Sequence, residues 1–470
     1  MMYPMEPTET ERLIGLIKDK SVSESEYIQE QIDKHDTTQM RVGVNYYFNE
    51  SDILKRKLYR YEDGIKVEDD TKPNNRIPHG WHKLLVDQKT GYLVGQPINF
   101  AADNESFQEY INDYLGEKFD DIANELVKNA SNKGVEWLHP YIDENGEFDF
   151  IITPAEQIIP IYAGEGNKRL GLVIRFYPIT IDNVETIKVE LWDENTVTFY
   201  IKQDGKYVLD PYEPNNPDSH FYFGTSDNEK GYGWGKVPFI PFKNNEELRG
   251  DIHDYKEHID AFDLTVSDNQ NAFEEFQNLI YVLKGYEGQS LSEFTTNLKF
   301  YKAVSVEAGE GSGVDTINNE IPMDSADKHL DRLRESIFFF GQGVDVGTDK
   351  FGNSPSGIAL RFLYSLLELK ASTLERKFRT SIQSLLWFLC EYLKMSGKGE
   401  FNYKEVDFTF KRTMLMNELE QAQIAQASKG VISDETIINN HPWVKDSEQE
   451  LERLARQREE NPIRLDDLEE

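Results

Sequence analysis

Residues 341–397 open with Gly341-Gln-Gly-Val-Asp-Val-Gly-Thr-Asp-Lys-Phe-Gly-Asn353 and continue as Ser354-Pro-Ser-Gly-Ile-Ala-Leu-Arg361 into the longest helical pattern of the chain. The first part is glycine-punctuated and reads as a loop. In the second, the Ser354 hydroxyl can accept from an orphan backbone N–H, and Pro355 stands where its missing N–H costs nothing. From Ser356 to Met395 there is no proline and one early glycine, and Gly397 is placed to end the helix in a left-handed conformation. About 40 helical residues at ~1.5 Å each span roughly 60 Å, longer than a small domain is wide. A rigid beam with a loop at its start implies a large, elongated, multi-part architecture.

The rest of the composition fits. At 470 residues the chain is long enough for two to four domains, and 38% hydrophobic with 12% aromatic residues leaves ample material to bury. Lys and Arg total 51 against 85 Asp and Glu, a formal charge of −34. So acidic a chain does not wrap nucleic acid through counterion release, which needs cations against phosphate, though it could surround a polyanion without gripping it. The acidity also serves solubility. The one cysteine, Cys390, sits among Leu385, Leu386, Phe388, Leu389 and Leu393 and reads as a small buried apolar residue. It permits no intrachain disulfide, which fits a reducing compartment. Met1-Met-Tyr-Pro-Met-Glu-Pro-Thr-Glu9 lacks the basic start and apolar core of a signal peptide, and no run approaches the ~18 apolar residues of a membrane span. The expectation is a soluble chain, cytoplasmic when made.

Along the chain, residues 1–35 are acidic and polar, with a weak helix pattern, and read as a poorly ordered arm, and 36–72 mix tyrosines with charges. Pro73-Asn-Asn-Arg-Ile-Pro78 is a breaker before a helix over His79–Tyr92; two further helices are predicted at Glu105–Leu115 and Phe119–Ser131. Between Glu136 and Phe242 the period switches to two. Phe148–Ile152, Leu172–Tyr177, Lys188–Trp192 and Thr196–Ile201 read as strands, with turns at Asp143-Glu-Asn-Gly146 and Gln203-Asp-Gly205. Helices followed by a β-rich half give an α+β class.

A second long helix begins near Leu248. Ile252, Tyr255, Ile259, Phe262, Val266, Phe273, Phe276 and Ile280 alternate spacings of three and four, a heptad seam suited either to an intrachain neighbour or to another copy. Its outer face is predicted to carry Asp251, Asp254, Glu257, Asp260, Asp263, Asp268, Glu274 and Glu275. Asp327–Phe340 is the one neighbouring helix evident. Between them, Tyr281–Pro322 reads as a small α/β insert with strands at Tyr281–Lys284, Lys299–Val306 and Val314–Ile321 and a helix at Leu291–Asn297. After Gly397 come one strand, Val406–Phe410, and then helices at Asn417–Ala427, after Ser433 and after the capping box Ser447-x-x-Glu450, with an acidic tail over residues 461–470.

Motifs of catalysis are few. There is no Gly-x-x-x-x-Gly-Lys-Ser/Thr phosphate loop and no Gly-x-Ser-x-Gly elbow; Gly341-x-Gly343 lacks the rest of a dinucleotide fingerprint. Asp345-x-Gly-x-Asp349 lacks the third ligand, the glycine at position six and the closing Glu of a calcium loop. His79 and His82, three apart, read as exposed helix residues without further metal-spaced ligands. No metal, cofactor or catalytic residue is expected.

Four segments in order carry a family resemblance. Pro73-Asn-Asn-Arg-Ile-Pro-His-Gly-Trp-His-Lys-Leu-Leu-Val-Asp-Gln-Lys-Thr-Gly-Tyr-Leu-Val-Gly-Gln-Pro97 resembles the N-terminal signature of portal proteins of long-tailed phages (or prophages) of Gram-positive bacteria. Gly235-Lys-Val-Pro-Phe-Ile-Pro-Phe-Lys-Asn-Asn-Glu246, running into Gly250-Asp-Ile252, resembles the start of that family's stem. Asn353–Arg361 resembles the end of its tunnel loop, and Gly430-Val-Ile-Ser-Asp-Glu-Thr436 with His441-Pro-Trp443 its crown.

The resemblance implies a multi-domain portal fold. Residues 1–247 would be a wing, 248–280 a stem helix, 281–322 a clip and 323–342 a second stem helix. Residues 343–353 would be a tunnel loop, 354–411 a long wing helix and return strand, and 412–470 a crown with an acidic tail. It further implies a ring of twelve copies at one capsid vertex, a virion component assembled in the host bacterial cytoplasm. Double-stranded DNA would pass through its channel during packaging and ejection, and the terminase large subunit, a head–tail adaptor and the major capsid and scaffolding proteins would dock on it, with no membrane involved. Val344, Asp345, Asp349, Lys350, Phe351 and Asn353 are then the expected channel-loop residues. Ile252, Tyr255, Ile259, Phe262, Val266, Phe273 and Phe276 form the stem seam, and Tyr286, Glu287, Glu293, Lys299 and Lys302 the clip's partner surface. The competing readings are a hydrolase using acidic residues of the β-rich half and a scaffold protein without a channel.

Overall fold

The computed structural model describes residue 15 and residues 23–460, apart from 165, 167, 168, 182, 224–229, 277–279, 285–312, 318–322, 346–356, 414–422, 424, 440, 442, 443, 445 and 446. In chain order the elements are α1 (Glu24–Lys34), α2 (Thr38–Tyr47), β1 (Tyr59–Glu62), β2 (Ile65–Glu68), α3 (Trp81–Val94), β3 (Asn99–Ala102), α4 (Glu105–Tyr114) and α5 (Gly116–Lys133). Ten strands of the β-rich half follow: β4 (Val135–Ile142), β5 (Phe148–Thr153), β6 (Ile158–Ala163), β7 (Arg169–Ile181), β8 (Val184–Trp192), β9 (Thr196–Gln203), β10 (Lys206–Leu209), β11 (Asp218–Ser219), β12 (Phe221–Phe223) and β13 (Lys230–Tyr232). Then come β14 (Ile240–Lys243), α6 (Lys256–Phe276), β15 (Ile280–Lys284), β16 (Gly313–Ile317), α7 (Met323–Gly341), α8 (Gly357–Met395), β17 (Val406–Thr409), α9 (Asp434–Asn439) and α10 (Ser447–Glu460).

The chain divides into two units. One comprises residues 1–87, 125–341 and 377–403; the other comprises 88–124, 342–376 and 404–470. The first is built on an antiparallel meander, β10-β9-β8-β7-β6, with β11 on β9, beside a second sheet ordered β14-β4-β5. Alternation along the strands separates two cores, because successive side chains leave opposite faces of a sheet. Ile159, Ile161, Leu172, Ile174, Val189 and Leu191 pack on one face with Tyr27 and Ile28 of α1. Ile158, Val173, Trp192 and Val197 point the other way and meet Trp137, Val237 and Phe239. The segment Glu24–Lys34, read from sequence as part of a poorly ordered arm, is therefore a packed helix: Tyr27 and Ile28 are buried, and Glu24 accepts from the Tyr200 hydroxyl at 2.5 Å. Residues 1–14 and 16–22 lie outside the described residues.

The turns follow the expected chemistry. Asp204 and Gly205 both have positive φ (49° and 78°), as does the Asp63-Gly64 pair joining β1 to β2 (50° and 81°), the geometry that lets two residues close a hairpin. Helix α8 ends where predicted. Gly397 has φ 73°, Lys398 N–H donates to Leu393 O at 2.8 Å and Gly397 N–H to Lys394 O at 3.2 Å, the paired bonds of a left-handed cap. Cys390 is buried and its thiol is pushed up to about 12, first by burial and then by Glu391. The second unit carries the antiparallel pair β17–β3, with Phe408 opposite Phe100.

Candidate functional site

The tyrosine-rich and proline-bounded segment before α3 lies along α6. From Pro73 to Gly80 the backbone forms no helix or strand, yet its polar groups are matched in sequence to one helix face. The Asn75 N–H and side-chain amide donate to Asn271 Oδ1 at 2.7 and 2.9 Å, the Ile77 N–H donates to Ser267 Oγ at 3.0 Å, and His79 Nδ1 lies 2.8 Å from Asp263 Oδ1. Alternate residues of an extended chain advance ~6.6 Å, and every fourth residue of a helix ~6 Å, so a two-for-four register can hold over several steps. Beyond it, His82 Nδ1 lies 2.7 Å from the Tyr255 hydroxyl, Ser51 Oγ donates to Asp263 Oδ2 at 2.6 Å, and the Tyr46 hydroxyl donates to Asp260. Lys256 bridges Asp52 and Asp260 at 2.7 and 2.6 Å, and Arg56 reaches Asp268 at 2.5 Å.

This register corrects two expectations. Asp251 and Asp263 were placed on the outer, solvated face, but both are buried, Asp263 completely. The strap supplies the donors that make burial of the Asp263 carboxylate tolerable. His79 and His82 are not exposed helix residues: His79 precedes α3 and is half-buried, and His82 is buried. The heptad seam is met partly from within the chain. Ile252, Tyr255 and Ile259 are fully buried in a cluster with Tyr46, Leu85, Ile337 and Phe338, against which Phe262 packs half-buried. Val266 is half-buried and Phe273 is 43% exposed; the Phe276 side chain lies outside the described residues.

At the start of the glycine-rich loop, α7 ends on Gly341, where an added Cβ would come within 2.5 Å of Leu85 Cδ1. In the second unit the Gln88 side-chain amide clamps Val344 from both sides: Nε2 donates to Val344 O at 2.8 Å and Oε1 accepts from Val344 N at 3.0 Å. Val344 is buried. One turn after Gln88 along α3, the Tyr92 hydroxyl donates to Glu368 at 2.5 Å, and Arg412 spans Glu368 and Glu375 at 3.0 and 2.6 Å. Burial disfavours the Glu368 charge, but hydrogen bonds from Arg412, Tyr92 and Ser372 outweigh it and hold the carboxyl down at about 2. Of the expected loop residues, Val344 and Asp345 are described; Asp349, Lys350, Phe351 and Asn353 lie outside the described residues, as do Ser354 and Pro355. So do all five expected clip residues, Tyr286, Glu287, Glu293, Lys299 and Lys302, with the helix Leu291–Asn297 and the strand Lys299–Val306; the flanking strands β15 and β16 pair antiparallel, Ile280 opposite Ile317.

The β-rich half holds several acidic side chains in structural roles. Glu136 accepts from Lys133 at 3.0 Å and from the Ala155 N–H at 2.7 Å. Glu190 takes bonds from Tyr177, Trp192 Nε1 and Arg175 at 2.6, 2.9 and 3.3 Å. Both are buried, with their oxygens committed. Among the described residues no three His, Cys, Asp or Glu side chains gather in a way that could hold a metal ion.

A groove of about 430 Å³ lies between α8 and the chain leading into β14. Lys377, Ser381, Ser384 and Phe388 line it at helical spacing, with Lys236, Val237 and Lys243 opposite. Ser381 Oγ donates to Pro241 O at 2.6 Å, and Lys236 Nζ sits 3.6 Å from the Trp387 ring centre. The hairpin β1–β2, which sequence periodicity left unassigned, was marked by Asp63-Gly64 between alternating residues.

Comparison with known proteins is consistent across the chain. The family described as "Phage portal protein, SPP1 Gp6-like" matches residues 28–462. The portal protein of Bacillus phage SPP1 is 43% identical over 463 residues, covering 96% of this chain and 91% of that protein. The portal protein of Clostridium phage phiCD119 is 35% identical over 432 residues, covering 87% and 90%. Among solved structures, the virion of a native gene transfer agent particle aligns over 76% of this chain and 88% of its own with a TM-score of 0.42 and 12% identity. The neck of an empty particle of that kind aligns over 86% and 93% at the same TM-score and 10% identity.

Proposed function

Since this chain belongs to the SPP1 Gp6-like phage portal proteins, we propose that it forms a ring of twelve copies at one capsid vertex, with a central channel through which double-stranded DNA enters and leaves. The observation that carries the reading is the family match from residue 28 to 462, which reaches into every segment given a portal role and leaves out only residues 1–27 and 463–470. The roles proposed are the wing for residues 1–247, the stem for 248–280 and 323–342, and the clip for 281–322. The tunnel loop would be 343–353, the long helix and return strand 354–411 and the crown 412–470. The clip would meet the terminase large subunit during packaging and the head–tail adaptor afterwards, and the outer wing the capsid and scaffolding proteins during assembly in the host cytoplasm. A phage portal is a structural component of the virion, and no reaction is assigned to this chain.

The charge supports a channel that guides DNA without holding it. Twelve copies at −34 would carry roughly −400, repelling DNA over the ~8 Å that physiological salt leaves unscreened. Each absent Lys–phosphate contact removes affinity that would slow sliding. The hydrolase reading finds its best buried carboxylates, Glu136 and Glu190, already paired. Negative-stain images of the purified protein test the proposal: rings with a central hole are expected, and a monomeric protein with turnover on a glycoside or phosphoester would replace it.

A further inference from the structure

Two surfaces of the first unit carry charges that lack an opposite charge in contact and that complement each other. In the groove beside α8, Arg169 and Lys377 are engaged by Glu194 and Glu246. Lys236 and Lys243 have no carboxylate within 4 Å among the described residues, an unusual surplus of cations on a chain of net charge −34. Burial lowers the Lys236 ammonium's pKa, Glu391 opposing, so an added carboxylate would relieve a partly desolvated charge. Beneath them, Val237 and Phe388 are buried and Trp387 half-buried.

The other surface is the β1–β2 hairpin. Among the described residues it pairs with no other strand, and two strands alone are marginally stable in water. Within it Glu62 is held by Arg60 and Glu68 by Lys57, whereas Asp63 at the tip makes no hydrogen bond or ion pair among the described residues. Tyr61 is 74% and Ile65 67% exposed. Tyr61 stands opposite Lys66, and Ile65 opposite Glu62, so the two apolar side chains leave opposite faces of the ribbon. A ribbon that is apolar on both faces at its tip is suited to insertion into a groove rather than to lying flat on a surface.

We propose that the hairpin tip of one copy seats in the groove of the next, with Asp63 between Lys236 and Lys243 and its flanking Tyr61 and Ile65 on the groove walls, one of them against half-buried Trp387. Tip and groove are different patches of the same chain, so the contact is head-to-tail and repeats until a ring closes. The inference rests on the ring reading above and specifies one contact that would link neighbours.

The test uses the full-length protein, with ring assembly followed by native mass spectrometry at near-physiological salt. Asp63→Lys alone, and Lys236→Glu with Lys243→Glu, should each raise the protein concentration needed for rings at least tenfold. The three changes together should restore it. Thermal unfolding of each variant separates an assembly defect from a folding defect. Independently, Asp63→Cys copies mixed with Lys236→Cys copies, both carrying Cys390→Ser, should form interchain disulfides only when the two are assembled together. Rings that form normally with either charge reversal, and mixed rings that do not cross-link, overturn the contact while leaving the ring reading intact. Rings that form but fail only to join capsid proteins would assign the groove to those partners and likewise overturn it. A wild-type protein that stays monomeric would defeat the ring reading itself.

Discussion

His79 Nδ1 and Asp263 Oδ1 are 2.8 Å apart, and the carboxylate they share with Ser51 has no solvent exposure. Asp263→Ala removes the acceptor of both partners and leaves the buried Ser51 hydroxyl unsatisfied, which costs about 1–3 kcal/mol, while half-buried His79 can turn to water. The expected outcome is a lower urea midpoint without loss of secondary structure. Asp263→Asn, which keeps one acceptor oxygen, should recover part of the loss. An unchanged midpoint in the Ala variant would show that the strap does not hold α6.

Gln88 holds Val344 through two bonds, and Gln88→Leu keeps the volume but neither bond. Rings should still assemble, while limited trypsin digestion cleaves faster after Lys350 than in the wild type. Equal cleavage rates would mean that the clamp does not restrain the segment beyond it.

The loop itself gives a functional prediction. Replacing Lys350 and Phe351 together by Ala should impair DNA packaging while ring images remain normal. Failure of the rings to assemble would make the loop a structural element and withdraw its channel role.

Acid should act on His139 and Glu368 in different windows. Burial pushes His139 down from 6.5 to about 4, against the opposing bond from its Nδ1–H to Pro238 O. The unfolded chain therefore takes up the proton first, and this residue's contribution to stability is lost as pH falls from 6.5 towards about 4. Glu368, depressed from 4.5 to about 2, contributes fully above 4.5 and loses that contribution as pH falls towards 2. Glu368→Gln should reduce the loss of stability in the lower window and leave the upper one unchanged, as read by a pH series of thermal unfolding. Flattening of both windows would mean that one network underlies them.

Long-period patterns were legible in the sequence and short polar matches were not. Helix α8 and its Gly397 stop follow from local rules: no internal proline and a residue free to take φ 73°. The strands β5, β7, β8 and β9 follow from alternation. What periodicity could not give was the partner. The heptad pattern identifies Ile252, Tyr255 and Ile259 as buried, although the helix expected from near Leu248 begins only at Lys256, after a 3-10 turn over Asp251–Asp254, and the pattern cannot tell that a polar strap continues the covered stripe through Asp263, Ser267 and Asn271. Each of these is an ordinary surface residue type until a donor arrives from nearly 200 positions away. Helix α1 shows only a weak pattern in the sequence, and its packing none, because its apolar face is only Tyr27, Ile28 and half-buried Ile32, too narrow to stand out among the acidic residues of the arm.

The strap along α6 also constrains where this chain can change length. A single residue inserted between Asp263 and Ser267 would turn everything beyond it by about 100° and carry Ser267 and Asn271 away from Ile77 and Asn75. One residue inserted between Asn75 and His79 would present the wrong side of the extended chain to the helix. Neither error can be absorbed locally, since both partners are read in fixed steps. Insertions and deletions should therefore accumulate between β15 and β16, and spare the two stretches 75–82 and 255–271, which can lengthen only together.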